Sequence, residues 1–217
     1  MKQLLRKELV LSASPLAFIF IAFSFMTLIP GYPILCGAFF ITLGIFHSFQ
    51  NAREANDTLY TALLPIAKSD VVKGKYLFVM FIELTGISIM MVLTFLRMSV
   101  LAGSEIYLNN AMMNANMFFI AMALLIFAAF NYIFIGGFFK TAYDFSKPFI
   151  TYAIVSFAVI MLAEAAHHIP GLEALNAFGF EYFGLQIILL IGGILLYGLL
   201  TYLSYKKACH DFDRIDL

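Results

Sequence analysis

The chain has 217 residues, of which 63% are hydrophobic and only 12% are charged, and its formal net charge is zero. A water-soluble domain carries about 25% charged residues, so this chain lacks the polar surface that a soluble globular protein needs. No basic patch with interleaved aromatic residues occurs, and we therefore expect no nucleic-acid partner. The composition predicts an all-α integral membrane protein with a single transmembrane domain over residues 1–217.

Six apolar segments are candidates for crossing the hydrocarbon core, which takes about 20 residues in a helix. The first charge-free stretch, residues 9–52, is too long for one crossing, and a Pro-Gly-Tyr-Pro turn at residues 30–33 divides it. Charged or Asn-rich connections separate the later segments. The predicted transmembrane helices span residues 14–29, 33–49, 76–96, 117–139, 148–163 and 182–205.

The distribution of Lys and Arg predicts the orientation, because cytoplasmic loops are enriched in both. Twelve of them lie in the two ends of the chain and in the loops after helices two and four, whereas only Arg97 lies on the other side. Both termini are therefore predicted to face the cytoplasm.

The largest predicted cytoplasmic loop, residues 53–75, contains a short helix. Asn56 or Asp57 can cap this helix, and Pro65 ends it. The helix is either a solvated connector lying on the lipid headgroups or a docking element for a cytoplasmic partner. Composition alone does not distinguish these alternatives.

Three stretches together resemble a known family. They are the basic amphipathic opening (residues 2–9, KQLLRKEL), the turn at residues 29–33 (IPGYP), and the run from Phe49 through residues 50–57 (QNAREAND) to Lys75. Their order resembles that of type-2 ABC exporter permeases, specifically the small bacterial ones of phenol-soluble-modulin exporters and peptide-antibiotic immunity pumps. The resemblance covers the whole chain in topology and is sharpest over the first half.

The resemblance implies the parts of a pump. Residues 2–11 would form an elbow helix along the inner membrane face, and the loop after helix two would hold the coupling helix that docks onto an ATPase subunit. The docking residues implied are Arg53, Glu54, Asn56, Asp57, Tyr60 and Leu64.

The chain contains no GxxxxGK[ST] phosphate loop. ATP and Mg²⁺ would therefore bind to a separate ABC ATPase subunit, and this chain would hold no cofactor and no catalytic residue. The resemblance further implies a second permease chain, identical or paralogous, in a bacterial plasma membrane, and export of amphipathic peptides or hydrophobic compounds.

Glu83 is the only charged residue inside predicted helix three. A charge near the bilayer centre costs about 2.5–3.5 kcal/mol on insertion scales, so such residues face protein or water. Three alternatives stay open for Glu83: an interhelical hydrogen bond, a polar point on the translocation path, or snorkelling to the interface.

Other function classes have weaker support in the sequence. A secondary transporter, or an accessory membrane protein acting without an ATPase, is the main alternative, although secondary transporters commonly show inverted repeats and several intramembrane charges. Neither a nucleophile elbow nor an HExxH motif occurs, so we expect no enzyme activity. Glu164, His167 and His168 lie close in sequence, but three such residues at a loop are weak evidence, and we expect no metal site.

Overall fold

The computed structural model describes residues 2–62 and 66–215, and the regular structure in these two ranges is helical throughout. In chain order the α-helices are α1 (Lys2–Lys7), α2 (Pro15–Ile19), α3 (Cys36–Glu54), α4 (Asp57–Ala62), α5 (Lys68–Ser99), α6 (Glu105–Leu108), α7 (Met117–Ala129), α8 (Gly136–Phe138), α9 (Ser146–Ala166) and α10 (Phe183–Asp213).

Four segments of other helical type extend or join these helices. A π-helical turn, Glu8–Ser12, continues α1, and a 3-10 segment, Phe20–Leu28, continues α2. A second π-helical turn, Phe130–Ile135, joins α7 to α8, and a short 3-10 turn, Glu173–Asn176, precedes α10. The helix that begins with α7 therefore runs to Phe138 with a π-helical segment inside it.

Four helices in the described ranges are long and apolar enough to cross a membrane: Lys68–Ser99, Met117–Phe138, Ser146–Ala166 and Phe183–Asp213. A fifth joins them if the pair Gln3–Ser12 and Pro15–Leu28, which bends by 103°, forms one broken span. Helix α3 is not among them, and its last five residues, Gln50–Glu54, are polar or charged apart from Ala52. The six crossings and their orientation therefore stay predictions.

Two helices extend well beyond the predicted apolar segments. Helix α5 begins at Lys68 rather than at residue 76, and α10 continues to Asp213 rather than ending at residue 205. The extra turns contain Lys and Asp residues, which water can solvate, so the end of an apolar run does not mark the end of the helix. Lys68 Nζ donates to the carbonyl of Ile215 at 2.7 Å and so joins these two polar ends.

The helix formed by α7 and its π-helical extension is the centre of the molecule. In its most apolar 18 residues 72% are buried, against 17% in α10, whose outer face is covered with exposed Ile and Leu. Helix α10 packs closely on α7 because Gly193 has no side chain: a Cβ there would lie 2.9 Å from the Ala121 Cα. Small residues at such contacts are typical of helices packed in membranes.

Candidate functional site

A tight turn after α3 produces the short helix α4. Asn56 has a left-handed backbone (φ 51°), which Asn tolerates better than most residues. Helix α3 ends at Glu54, and α4 begins directly after Asn56, at Asp57. The Asn56 carbonyl accepts a hydrogen bond from the Tyr60 amide at 3.0 Å, which closes the first turn of α4.

A cluster of four charged residues holds α4 in place. The Lys75 ammonium lies 2.6 Å from Glu8 Oε2 and 3.0 Å from Asp57 Oδ2. The Lys7 ammonium lies 2.7 Å from Asp57 Oδ1 and 3.0 Å from Glu8 Oε1. Ser12 Oγ donates to Asp57 Oδ2 at 2.9 Å. We name these four residues, Lys7, Glu8, Asp57 and Lys75, the ionic cluster; it ties the N-terminal segment, α4 and the start of α5 together.

The charges of the ionic cluster balance, with two cations and two carboxylates. Partial burial by itself would raise the pKa of Asp57, but the charge of Lys75 and hydrogen bonds from Lys7 and Lys75 outweigh it and lower that pKa to about 2. Asp57 is therefore ionised at any physiological pH, and its side chain is engaged within the chain.

The remaining residues implied as docking contacts differ in exposure. Glu54, Asn56 and Tyr60 are exposed, with Tyr60 at 65%. The Arg53 guanidinium lies 4.2 Å from the centre of the Phe145 ring, which places it against the start of α9. Leu64 lies outside the described residues. Of the implied docking residues that the structure describes, Glu54, Asn56 and Tyr60 are thus exposed, while Asp57 faces the ionic cluster.

Glu83 is fully buried where α5, α10 and the π-helical turn after α7 meet. Its Oε2 accepts hydrogen bonds from Asn131 Nδ2 at 3.0 Å and from the Tyr197 hydroxyl at 2.8 Å. Asn131 Nδ2 also donates to Thr201 Oγ1 at 3.0 Å. Of the three alternatives for Glu83, the geometry therefore shows an interhelical hydrogen bond and leaves no path for snorkelling, since the side chain is 0% exposed. A role on the translocation path stays a prediction.

The π-helical turn Phe130–Ile135 makes a second contribution to this buried site. Ser204 Oγ donates to the Asn131 carbonyl at 2.6 Å and shares a 2.7 Å hydrogen bond with the Tyr76 hydroxyl. In a π-helical turn the regular hydrogen-bond ladder is shifted, and a side chain from a neighbouring helix can satisfy a carbonyl. We name Glu83, Asn131, Tyr197, Thr201 and Ser204 the central polar network.

The long connections between α5 and α7 and between α9 and α10, which the sequence predicts to lie on the outer side, meet at Arg97, which is only 3% exposed. Its guanidinium donates to the Thr27 carbonyl at 2.8 Å and to Asn114 Oδ1 at 2.7 Å, and it lies 4.0 Å from the centre of the Tyr107 ring. Asn114 in turn donates to the Ala177 carbonyl at 3.3 Å. Arg97 thereby joins the 3-10 segment Phe20–Leu28 to both long connections.

Two of the three residues considered for a metal site make other contacts. Glu164 Oε2 accepts from the Met113 amide at 2.8 Å, and His167 Nε2 lies 3.3 Å from the Ala111 carbonyl. Within residues 2–62 and 66–215, no group of three or more His, Cys, Asp or Glu side chains is placed to hold a metal ion.

Sequence reasoning missed the ionic cluster and, although it allowed an interhelical hydrogen bond for Glu83, it did not identify the partners of Glu83 in the central polar network. Lys7 and Lys75 contribute to the orientation count, but their pairing with Asp57 joins residues 50 and 18 positions apart. A weak signal was present, since Glu8 and Asp57 are acidic residues in the two most basic segments of the chain. Nothing in the pattern indicated which residues would meet.

Comparison with known proteins identifies the family to which the chain belongs. The model of the ABC-2 family transporter protein matches residues 3–211. Neither the curated proteins nor the solved structures compared with the chain gave a match. The family match covers nearly the whole chain, and the long apolar helices agree with it. The chain is therefore a membrane protein that belongs to the ABC-2 family of transporter proteins.

Proposed function

We propose that this chain is the permease subunit of an ATP-driven exporter in a bacterial plasma membrane. Family membership implies an ABC ATPase partner in general, and in this proposal a separate subunit binds ATP and Mg²⁺ and docks on α4. A second permease chain, identical or paralogous, completes the transporter. The observation that carries the proposal is the arrangement of α4, which the ionic cluster fixes on one side while Glu54 and Tyr60 are exposed.

The contacts of α4 give a route for mechanical coupling. A displacement of α4 by a docked ATPase would act on Asp57, and through the 3.0 Å ion pair on Lys75 at the start of α5. Helix α5 is continuous for 32 residues and contains Glu83. Since Glu83 is hydrogen-bonded to Asn131 and Tyr197, movement of α5 would reach the helices on both sides of the central polar network.

The surface between α5 and α10 supports an apolar or amphipathic cargo. A groove of about 240 Å³ lies there, with an almost wholly apolar surface. Its walls include Tyr76, Met80, Tyr197 and Tyr202, and Lys73 lies at one end. Flexible Met side chains and tyrosine rings suit ligands of varied shape. The groove is too small for a peptide, so in this proposal the two permeases together enclose the transport cavity.

The test is purification of the tagged chain from its native membrane in mild detergent, followed by identification of co-purifying proteins. We expect an ATPase with a phosphate loop in stoichiometric amount. The double variant Glu54→Ala, Tyr60→Ala should lose most of it, because both side chains are exposed and neither belongs to the ionic cluster. Hot-spot residues of this kind cost about 2 kcal/mol or more each when truncated.

The matched control is Tyr32→Ala, Glu105→Ala, which removes the same two residue types from exposed positions of the outer connections. It should retain the ATPase. If both double variants retain the ATPase equally, docking on α4 is wrong. If the wild-type chain purifies without any ATPase, the alternative of a secondary transporter or accessory membrane protein replaces the pump.

A further inference from the structure

A crevice with three lysines opens where α8 ends and α9 and α10 pass it. It has two adjoining lobes of about 310 and 220 Å³, which share Ile133, Gly137 and Lys140. Lys147 lies in the first lobe and Lys207 in the second. Lys140 and Lys147 lie seven residues apart around the start of α9, and Lys207 belongs to α10, so the fold brings Lys207 to the other two lysines.

The crevice has an excess of positive charge. Among the residues that the structure describes, Asp144, in the first lobe, is the only acidic residue lining either lobe. In the described part of the chain, no carboxylate lies within 4.0 Å of Lys140, Lys147 or Lys207. The Lys207 ammonium instead lies 6.0 Å from the centre of the Tyr132 ring. An anionic ligand would therefore meet three cations that no ion pair neutralises.

The position of the crevice relative to the apolar helices selects the kind of anion. The membrane-capable helix Met117–Phe138 ends two residues before Lys140, which puts the lysines at the level of the headgroups. On α9, Ile150 and Ile154 are 60% and 67% exposed and lie three and seven residues after Lys147, on the same helix face. An apolar track thus leads from the basic crevice along the membrane-facing side of α9.

We propose that this crevice binds the phosphate headgroup of an anionic phospholipid, with an acyl chain lying along Ile150 and Ile154. Basic pockets between membrane helices recognise such headgroups because anionic lipids attract Lys and Arg near the surface. Thr141 and Thr151 line the first lobe and supply hydroxyl donors for phosphate oxygens. The proposal does not depend on which ATPase or cargo the protein has.

The experiment measures lipid binding to the purified protein by native mass spectrometry, with phosphatidylglycerol as the probe and phosphatidylcholine as the zwitterionic comparison. We expect Lys140→Gln, Lys207→Gln to weaken phosphatidylglycerol binding by about fivefold for each lysine, since each contributes about 1 kcal/mol. The matched control, Lys73→Gln, Lys206→Gln, removes two charges outside the crevice and should stay within about twofold of wild type. Both lysines of the control lie at the α5 and α10 ends.

A further variant is expected to tighten lipid binding, an effect that misfolding would not produce. Asp144→Asn removes the acidic residue from the crevice while its Oδ1 can still accept from the Ser146 amide, as Asp144 does at 3.1 Å. It should tighten phosphatidylglycerol binding by up to about fivefold. The proposal would be overturned if the crevice variant and the control variant lost the same amount of phosphatidylglycerol binding. It would also be overturned if phosphatidylcholine bound as tightly as phosphatidylglycerol. Displacement of the lipid by millimolar inorganic phosphate would reassign the crevice to free anions and would also overturn it.

Discussion

Helix α5 takes part in two polar clusters that differ in how their charges are compensated. Lys75 lies in the ionic cluster, between the carboxylates of Glu8 and Asp57. Glu83 lies eight residues later, about 12 Å further along the helix, and its hydrogen-bond donors, Asn131 and Tyr197, are both neutral. At the polar end of the helix the Lys75 charge is compensated by carboxylates, whereas the Glu83 carboxyl group in the interior has only the dipoles of neutral hydrogen-bond donors around it.

The difference shows what each cluster can do. In the ionic cluster, opposite charges near the start of α5 hold α4 and the N-terminal segment against this helix. Lys7 keeps 22% of its side chain exposed there. The central polar network holds together, by hydrogen bonds, three helices that are long and apolar enough to cross a membrane. Such bonds average about 0.6 kcal/mol in a membrane, so each residue of the central polar network contributes little to stability by itself. In the ionic cluster, by contrast, the stabilisation depends on a few charged residues.

The largest expected effect is therefore loss of Lys75. Its side chain is 4% exposed, and Lys75→Ala would leave Glu8 and Asp57 with Lys7 as their one remaining cation. Removing one partner of a buried ion pair costs about 3–5 kcal/mol, because the other charge stays buried without compensation. Thermal unfolding in detergent measures this as a large fall in Tm.

The matched control is Lys73→Ala, two residues earlier on the same helix, which is in no ion pair among the described residues. It should change the free energy of unfolding by less than about 0.5 kcal/mol. A similar loss of stability in both variants would show that the ionic cluster does not hold α5 and α4 together.

A smaller effect is expected at Glu83. Glu83→Gln keeps an oxygen that can accept from Asn131 and Tyr197, whereas Glu83→Ala leaves both donors unsatisfied. An unsatisfied buried polar group costs about 1–3 kcal/mol, so Ala should destabilise the protein and Gln should not. Equal destabilisation by the two substitutions would mean that the hydrogen bonds to Glu83 Oε2 do not account for its contribution to stability.

The same Gln variant sharpens the functional comparison. If Glu83 lies on the coupling route, transport-coupled ATP hydrolysis in the assembled transporter should slow in Glu83→Gln although the fold is intact. Unchanged turnover would limit Glu83 to interhelical packing and reject its place on the translocation path.

The sequence predicts the parts of this molecule that depend on composition and local turn chemistry. The apolar segments, the turn at residues 30–33 and a short helix near Asp57 follow from residue type and spacing. The family resemblance rests on residues 2–75, and the family match over residues 3–211 confirms an ABC-2 permease but does not identify the exporter subfamily.

The remaining features depend on contacts between distant residues. Asp57 belongs to the predicted docking helix, but only the fold shows that Lys7 and Lys75 occupy its carboxylate. Similarly, the π-helical turn at Phe130–Ile135 lies in a uniformly apolar run with one Asn, and no periodicity reveals it. Such features depend on tertiary packing, and the local patterns of a single sequence do not show which distant residues pack together.

The smallest expected effect concerns the pH dependence of the ionic cluster. Asp57 has a folded-state pKa of about 2, below its ordinary value of 3.8. A carboxyl group whose pKa is lowered on folding stabilises the protein fully above its unfolded pKa, and this stabilisation is lost as the pH falls through the folded pKa. Asp57 should therefore stabilise the protein at neutral pH and lose that contribution between about pH 4 and pH 2.

The variant Asp57→Asn tests this contribution, because the carboxyl groups outside the ionic cluster keep the same surroundings in both proteins. The difference in free energy of unfolding between wild type and Asp57→Asn should shrink by about 1–2 kcal/mol between pH 5 and pH 2, an amount reduced by partial exposure of the side chain. Denaturant unfolding at a series of pH values measures it. A difference that stays constant over this range would mean that the ion pairs from Asp57 to Lys7 and Lys75 do not stabilise α4. Hydrogen bonds alone would then hold Asp57, and the two polar clusters of α5 would not differ in the way their structures indicate.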